Sequence, residues 1–261
     1  PDAVIAGGTA VEVDTSKTDF KLTPELLKSY LDKYGNRVKG VVFVNPSNPT
    51  GIAYTQEELD ALAKLIKGKP IFAISDEIYS ELIYDGGYAS MARALPEQTI
   101  LTNGLSKSYA MTGWRIGYLC APEAITNEIF KVHSFVMTDV ATFTQDAAEA
   151  ALKGGTAATK KMDEKYIQRR DYMKKRLAAM GFDCSRPMGA FYIFAKIPDF
   201  LEQDDTKLVY DLVKNARVAV TAGSYFGKGG NGYLRFSYAT SMDQIKEGMD
   251  RLEQYVNQAR Q

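Results

Sequence analysis

Histidine is almost absent from this chain of 261 residues: His133 stands alone. A multi-histidine metal centre is therefore excluded, and no metal ligand set is expected. Cysteine is scarce too. Cys120 and Cys184 offer neither a disulfide framework nor the paired spacing of a zinc site, and a cytosolic setting is the simple reading. Net charge is zero, with 32 basic against 32 acidic residues. Bulk electrostatics therefore give no pull towards nucleic acid or an anionic membrane. No apolar run is long enough to span a bilayer. The opening Pro1-Asp2-Ala3-Val4-Ile5 lacks a basic region followed by an apolar stretch, so it does not read as a signal peptide. Position 1 is Pro rather than Met, which suggests processing or a natural start elsewhere.

What is present reads as an ordinary globular chain, 45% hydrophobic and 25% charged. Its length suggests one large domain or two moderate ones, with a sizeable core and no need of staples. Residues 11–14 alternate like a short strand. Thr23-Pro24-Glu25 then opens a helix: Thr caps, Pro takes the first helical position and Glu suits the dipole. Apolar residues recur at helical spacing until Gly35 stops it. Residues 41–44 form a β-branched and aromatic run typical of a buried strand. Thr55 and Glu58 make a capping box for the next helix, which Gly68 ends. Further strand runs occupy residues 71–74, 99–102 and 116–119.

Strands alternating with helices imply a mostly parallel α/β sheet. The later part changes character. Residues 123–153 read as helical, and a long charged helix spans residues 159–180. Shorter strands follow at 190–195, 218–220 and 233–238, and a closing helix at 242–258. The expected fold is α/β: a large domain over residues 1–155 and a smaller α+β domain over 156–261.

In open α/β sheets ligands bind beyond the carboxyl ends of the strands. Asn48 follows the strand at 41–44, Asp76 the strand at 71–74, and Lys107 the strand at 99–102. Each has a plainer reading. The loop around Asn48 is rich in Pro and Gly and makes a turn; Asp76 suits a cap; lysines are commonly solvated. The flanks of Lys107 are small or apolar, however, and a lysine desolvated there would have a lowered pKa and act as a nucleophile. Arg115 either pairs with a carboxylate or clamps a phosphate.

Five segments carry a resemblance. They are Asn45-Pro46-Ser47-Asn48-Pro49-Thr50-Gly51, Ser75-Asp76-Glu77-Ile78-Tyr79, the stretch from Ser106-Lys107 through Gly113-Trp114-Arg115 to Gly117, Pro187-Met188-Gly189-Ala190-Phe191-Tyr192, and Tyr233-Leu234-Arg235-Phe236-Ser237. In this order they are similar to the landmarks of class I/II aminotransferases that use pyridoxal 5′-phosphate on the aspartate-aminotransferase fold. The resemblance covers nearly the whole chain.

It implies that Lys107 forms the Schiff base with the cofactor and shuttles the substrate proton. Asp76 would keep the ring nitrogen protonated. Asn48 and Tyr79 would bind the ring oxygen, Ser106 and Arg115 the phosphate. Arg235 would take the substrate α-carboxylate, with Asn48 beside it; Tyr192 and Trp114 are read as structural. The implied reaction is ping-pong transamination from an amino acid to a 2-oxo acid, 2-oxoglutarate being the expected acceptor. The string around Lys107 looks closest to bacterial members acting on aspartate, aromatic amino acids or N-acetyl-diaminopimelate. A homodimer in the full-length form is implied, with neither nucleic acid nor membrane as partner.

Departures matter as well. The family's glycine-rich phosphate turn at a helix start has no counterpart before Asn48. Ala6-Gly7-Gly8-Thr9 leads instead into the expected strand. The chain therefore looks like a member lacking its N-terminal part, with an incomplete large domain, weak cofactor binding and impaired catalysis. Gly104 stands where many members have a serine for the phosphate, with Asn103 or Ser106 as substitutes. Ala222-Gly223-Ser224 replaces a common Pro-Gly-Ser. The same scaffold also hosts two rival activities: a lyase performing β-elimination (C–S cleavage), and an effector-sensing module of a regulator. A third rival is an α/β binding protein without the cofactor.

Overall fold

The computed structural model describes residues 2–261; Pro1 lies outside them. A short helix, α1 (Asp2–Ile5), opens the chain. Gly7 and Gly8 close it by donating backbone N–H groups to Val4 and Ala3. The strand expected at residues 11–14 does not form. Residues 8–15 run without regular structure and find no ladder partner among the described residues. Alternation alone makes no strand where no neighbour offers its hydrogen bonds.

The helices that follow form where their caps place them. α2 (Pro24–Tyr34) starts at Thr23, whose hydroxyl accepts from Leu26 N, and stops at Gly35. α3 (Gln56–Ile66) starts on the full capping box of Thr55 and Glu58. Between them lies β1 (Gly40–Val44), and after them β2 (Phe72–Asp76). A single-turn helix α4 (Met91–Ala94) precedes β3 (Thr99–Gly104), and β4 (Gly117–Cys120) completes the sheet. The strand order is β1-β2-β3-β4, with β1, β2 and β3 parallel and β4 antiparallel to β3. Leu59, Leu62 and Ile66 of α3 pack with Leu27, Phe43 and Met91 into a core on one face.

Three helices lead onward: α5 (Glu123–Val136), α6 (Thr142–Gly154) and α7 (Thr156–Ala179). A second sheet follows, built from β5 (Asp183–Cys184), β6 (Tyr192–Lys196), β7 (Thr221–Ala222) and β8 (Tyr233–Ser237). Its order is β5-β6-β8-β7, every pair antiparallel. The strand expected at 218–220 forms later, at β7. Arg217 adopts a left-handed conformation (φ 55°) as the chain leaves a π-helical turn, and the next residues are spent on that reversal. Helix α8 (Asp205–Asp211) was not legible from periodicity. Asp204 caps it by accepting from Thr206 N and Lys207 N. α9 (Met242–Ala259) closes the chain, burying Ile245, Met249, Leu252 and Val256 against the second sheet.

The two sheets meet at interlocking turns. The carbonyl of Gly51 accepts from Met188 N at 2.7 Å and Gly189 N at 2.9 Å. Gly51 has φ 71°, and a Cβ there would lie 2.6 Å from Tyr192 O. A Cβ on Gly189 would lie 2.6 Å from both Leu82 O and Pro46 Cγ. Only glycine permits this approach. Arg170 of α7 fastens the same junction, donating to Asp85 at 2.8 Å and to Pro187 O at 3.2 Å.

Candidate functional site

The loop after β1 is held from beneath by Asn45. Buried, it accepts from Tyr54 N and donates to Ala89 O, both at 2.9 Å. This scaffold leaves Asn48 free to face the second sheet. There Arg235 Nη1 donates to Asn48 Oδ1 at 2.7 Å, and Nη2 to Thr221 Oγ1 at 3.2 Å. The guanidinium lies between two rings, 4.5 Å from the centroid of Tyr192 and 4.8 Å from that of Phe226. Its Nε is buried with no hydrogen-bond partner among the described residues. A guanidinium so oriented, with donor capacity in reserve, is suited to a carboxylate.

Asp76 ends β2, in register with Val44 of β1 and Thr102 of β3. It is half-buried, and burial raises its carboxyl above the ordinary range while the N–H of Ile78 opposes that. No cation pairs with it among the described residues. Its neighbour Glu77 is fully buried and has a different task. It accepts from Ser75 and Ser90 at 2.8 and 2.7 Å and also from Tyr88, tying the end of β2 to the segment before α4.

Tyr79 follows in the next turn and is buried. Its hydroxyl lies 3.0 Å from that of Tyr192, and its ring meets Phe191 edge-on at 5.4 Å. Burial, above all, keeps the Tyr79 phenol protonated far beyond neutral pH.

Lys107 lies just beyond β3, in a segment anchored by buried Leu105 and Met111 against Ala148 of α6. The side chain is half-buried, with Nζ 5.9 Å from the Phe191 ring centroid. Phe191 thus sits between Lys107 and Tyr79. The expected residues Asn48, Tyr79 and Arg235 are joined through Tyr192, and Lys107 reaches them through Phe191.

Ser106 and Arg115 make no hydrogen bond to this cluster among the described residues. Arg115 is exposed, takes a left-handed conformation (φ 53°), and donates to Thr112 O at 2.9 Å. Asn103 is committed elsewhere, donating to Ser80 Oγ at 3.0 Å. Gly104 packs tightly, since a Cβ would sit 3.0 Å from Gly117 Cα and Ile116 O.

Sequence reasoning missed Thr221, Phe226 and the linking position of Tyr192. Strand alternation contained a clue. Arg235 pairs with Phe194 of β6 and Thr221 of β7, so Tyr192, two residues before Phe194, falls on the same side as Arg235.

Arg235 on the second sheet and Lys107 beyond the carboxyl end of β3 thus lie against neighbouring rings, Tyr192 and Phe191, of one α/β scaffold. The model for aminotransferase class I and II matches residues 1–252. The chain belongs to that family. It is 45% identical over 258 residues to a probable N-acetyl-LL-diaminopimelate aminotransferase of Bacillus subtilis, covering 98% of this chain and 64% of that protein. An aspartate aminotransferase of Pyrococcus abyssi is 37% identical over 266 residues, covering 99% of this chain and 67% of its own length.

Among solved structures, an aromatic aminotransferase from Pyrococcus horikoshii superposes with a TM-score of 0.92 at 38% identity, covering 99% of this chain and 70% of that one. An aspartate aminotransferase from Thermus thermophilus with maleate gives 0.89 at 35% identity, covering 96% and 65%. The chain thus spans about two thirds of the length of these relatives.

Proposed function

We propose that this chain carries the catalytic centre of a pyridoxal-phosphate aminotransferase, which moves an amino group from an amino acid to a 2-oxo acid by ping-pong chemistry. The observation that carries the reading is Arg235, set by Asn48 and Thr221 between two rings and joined through Tyr192 to Tyr79. Residues 1–155 would form the cofactor-bearing domain and 156–261 the smaller one.

The donor set fits the cofactor. Asp76 is a half-buried carboxylate with a raised pKa and no cation beside it, which suits a protonated ring nitrogen. Tyr79 is a buried phenol held as a donor. Asn48 keeps its amide nitrogen unspent among the described residues while its oxygen serves Arg235. Bound there, the cofactor supplies an electron sink for the pair left when the substrate Cα–H bond breaks.

Each residue then has a task. Lys107 would hold the cofactor through Nζ and, once freed by the substrate amine, take the proton from Cα and return it. Asp76 would keep the ring nitrogen protonated. Tyr79 and the Asn48 amide would donate to the ring oxygen. Arg235 would grip the α-carboxylate and so fix the substrate's orientation. Ser106 and Arg115 would serve the phosphate.

Substrate choice rests on the relatives. Their names include N-acetyl-LL-diaminopimelate, aspartate and aromatic amino acids. A donor from that range, with 2-oxoglutarate as acceptor, is the reading adopted. A homodimer in the full-length form is supported by the apolar side chains that α5 and α6 leave exposed, Phe130, Phe135 and Phe143 among them. No helix among the described residues is long and apolar enough to cross a membrane. A cytoplasmic location is part of the proposal.

The test is an assay with excess cofactor, a donor and 2-oxoglutarate, reading glutamate formation. Glutamate that depends on Lys107 supports the reading. Ammonia release without an acceptor would point to elimination instead.

A further inference from the structure

Tyr192 touches both halves of the site. Its hydroxyl meets that of Tyr79 at 3.0 Å, and its ring carries the Arg235 guanidinium at 4.5 Å. It is buried, and the ring also meets Tyr79 edge-on at 5.9 Å. The second sheet fixes its place: Phe194 pairs with Arg235 and Tyr192 with Ser237, so Tyr192 and Arg235 share a side.

The hydroxyl pair has a direction. A phenol donates one proton and accepts through its oxygen. If Tyr79 gives its proton to a ring oxygen, its own oxygen accepts from Tyr192. Donation then runs from Tyr192 to Tyr79 and on to the ligand. A hydroxyl that receives such a bond is the better donor. The opposite function belongs to the ring face, whose negative quadrupole attracts the guanidinium.

We propose that Tyr192 is a positioning residue that orients the Tyr79 phenol with its hydroxyl and seats Arg235 with its ring. One side chain thereby keeps the cofactor-facing and carboxylate-facing groups in register. This rests on the function proposed above for Tyr79 and Arg235. A packing role alone would need the ring and not the hydroxyl.

The experiment uses protein loaded with excess pyridoxal phosphate and two readouts. One is the pH midpoint of the bound cofactor's absorption. The other is 2-oxoglutarate affinity by calorimetry. Tyr192→Phe keeps the ring. It should raise the midpoint by about half to one pH unit, as Tyr79 becomes a poorer donor, and leave affinity within about twofold. Tyr192→Leu removes both functions, so affinity should also fall about tenfold. Tyr79→Phe should raise the midpoint, and adding Tyr192→Phe to it should change nothing further.

A Tyr192→Phe midpoint that stays put or falls overturns the proposal. So does unchanged affinity in Tyr192→Leu, or additivity in the double variant. If Tyr79→Phe itself leaves the midpoint unmoved, the assignment of Tyr79 fails and the proposal falls with it. A shift in Tyr79→Phe with silence in Tyr192→Phe rejects Tyr192 alone.

Discussion

Arg235 Nη1 donates to Asn48 Oδ1 over 2.7 Å, joining side chains 187 positions apart. One belongs to the turn after β1 and the other to β8, so each sheet orients the other's functional group. Asn48→Ala removes this acceptor and lets the guanidinium turn. The Michaelis constant for the amino donor should rise about tenfold, the effect of one lost charge-assisted bond. Arg235→Lys keeps the charge and loses the planar fork, and should cost at least about tenfold as well. Steady-state kinetics with the donor varied checks both.

Gly51→Ala should disturb the same contact from a distance. Its Cβ would press on Tyr192 O at 2.6 Å and Pro187 Cβ at 2.7 Å, with the backbone at φ 71°. The left-handed conformation alone costs roughly 1–2 kcal/mol. A lowered urea midpoint together with a raised donor Michaelis constant is the expected pair of effects.

Glu77 should prove a stability residue. Fully buried, it accepts from Ser75, Ser90 and Tyr88. Glu77→Ala strands the buried Ser75 and Ser90 hydroxyls and should destabilise the fold by about 3 kcal/mol. Ser75→Ala, which removes one donor, should cost about 1 kcal/mol. Urea unfolding of the two variants gives the comparison.

Asp163 of α7 should set a pH-dependent term in stability. Burial first, and Glu81 second, raise its carboxyl from 3.8 to about 6, and its Oδ1 is buried without a hydrogen-bond partner among the described residues. A folded-state pKa above the unfolded one means stability that is full below 3.8 and lost as pH rises through about 6. Asp163→Asn removes that dependence. Relative to wild type, the variant should gain stability steadily between pH 4 and pH 6 and level off above, within the window these values define. Denaturant midpoints across that range measure it.

Much of this architecture was legible because its signals are local. Thr23, Thr55 and Glu58 fix helix starts within a few residues of themselves, and the apolar runs of β1, β2 and β3 need no knowledge of their partners. The positions of Asp76 at the end of β2, and of Asn48 and Lys107 beyond β1 and β3, followed from the same local reading. What failed depended on distant chain. Residues 11–14 alternate correctly but meet no neighbouring strand, and the stretch at 218–220 is displaced by the reversal at Arg217. The setting of Arg235 required the pairing of β6, β8 and β7, which no local pattern encodes. For the same reason Tyr192 read as packing.

The central claim is that Lys107 carries the cofactor. Incubating the protein with excess pyridoxal phosphate, reducing with borohydride and mapping the adduct by peptide mass spectrometry tests it directly. The account predicts one stable modification, on Lys107, lost in Lys107→Arg while Asp76→Asn still folds. Labelling spread over surface lysines, or glutamate formation that survives without Lys107, would contradict it.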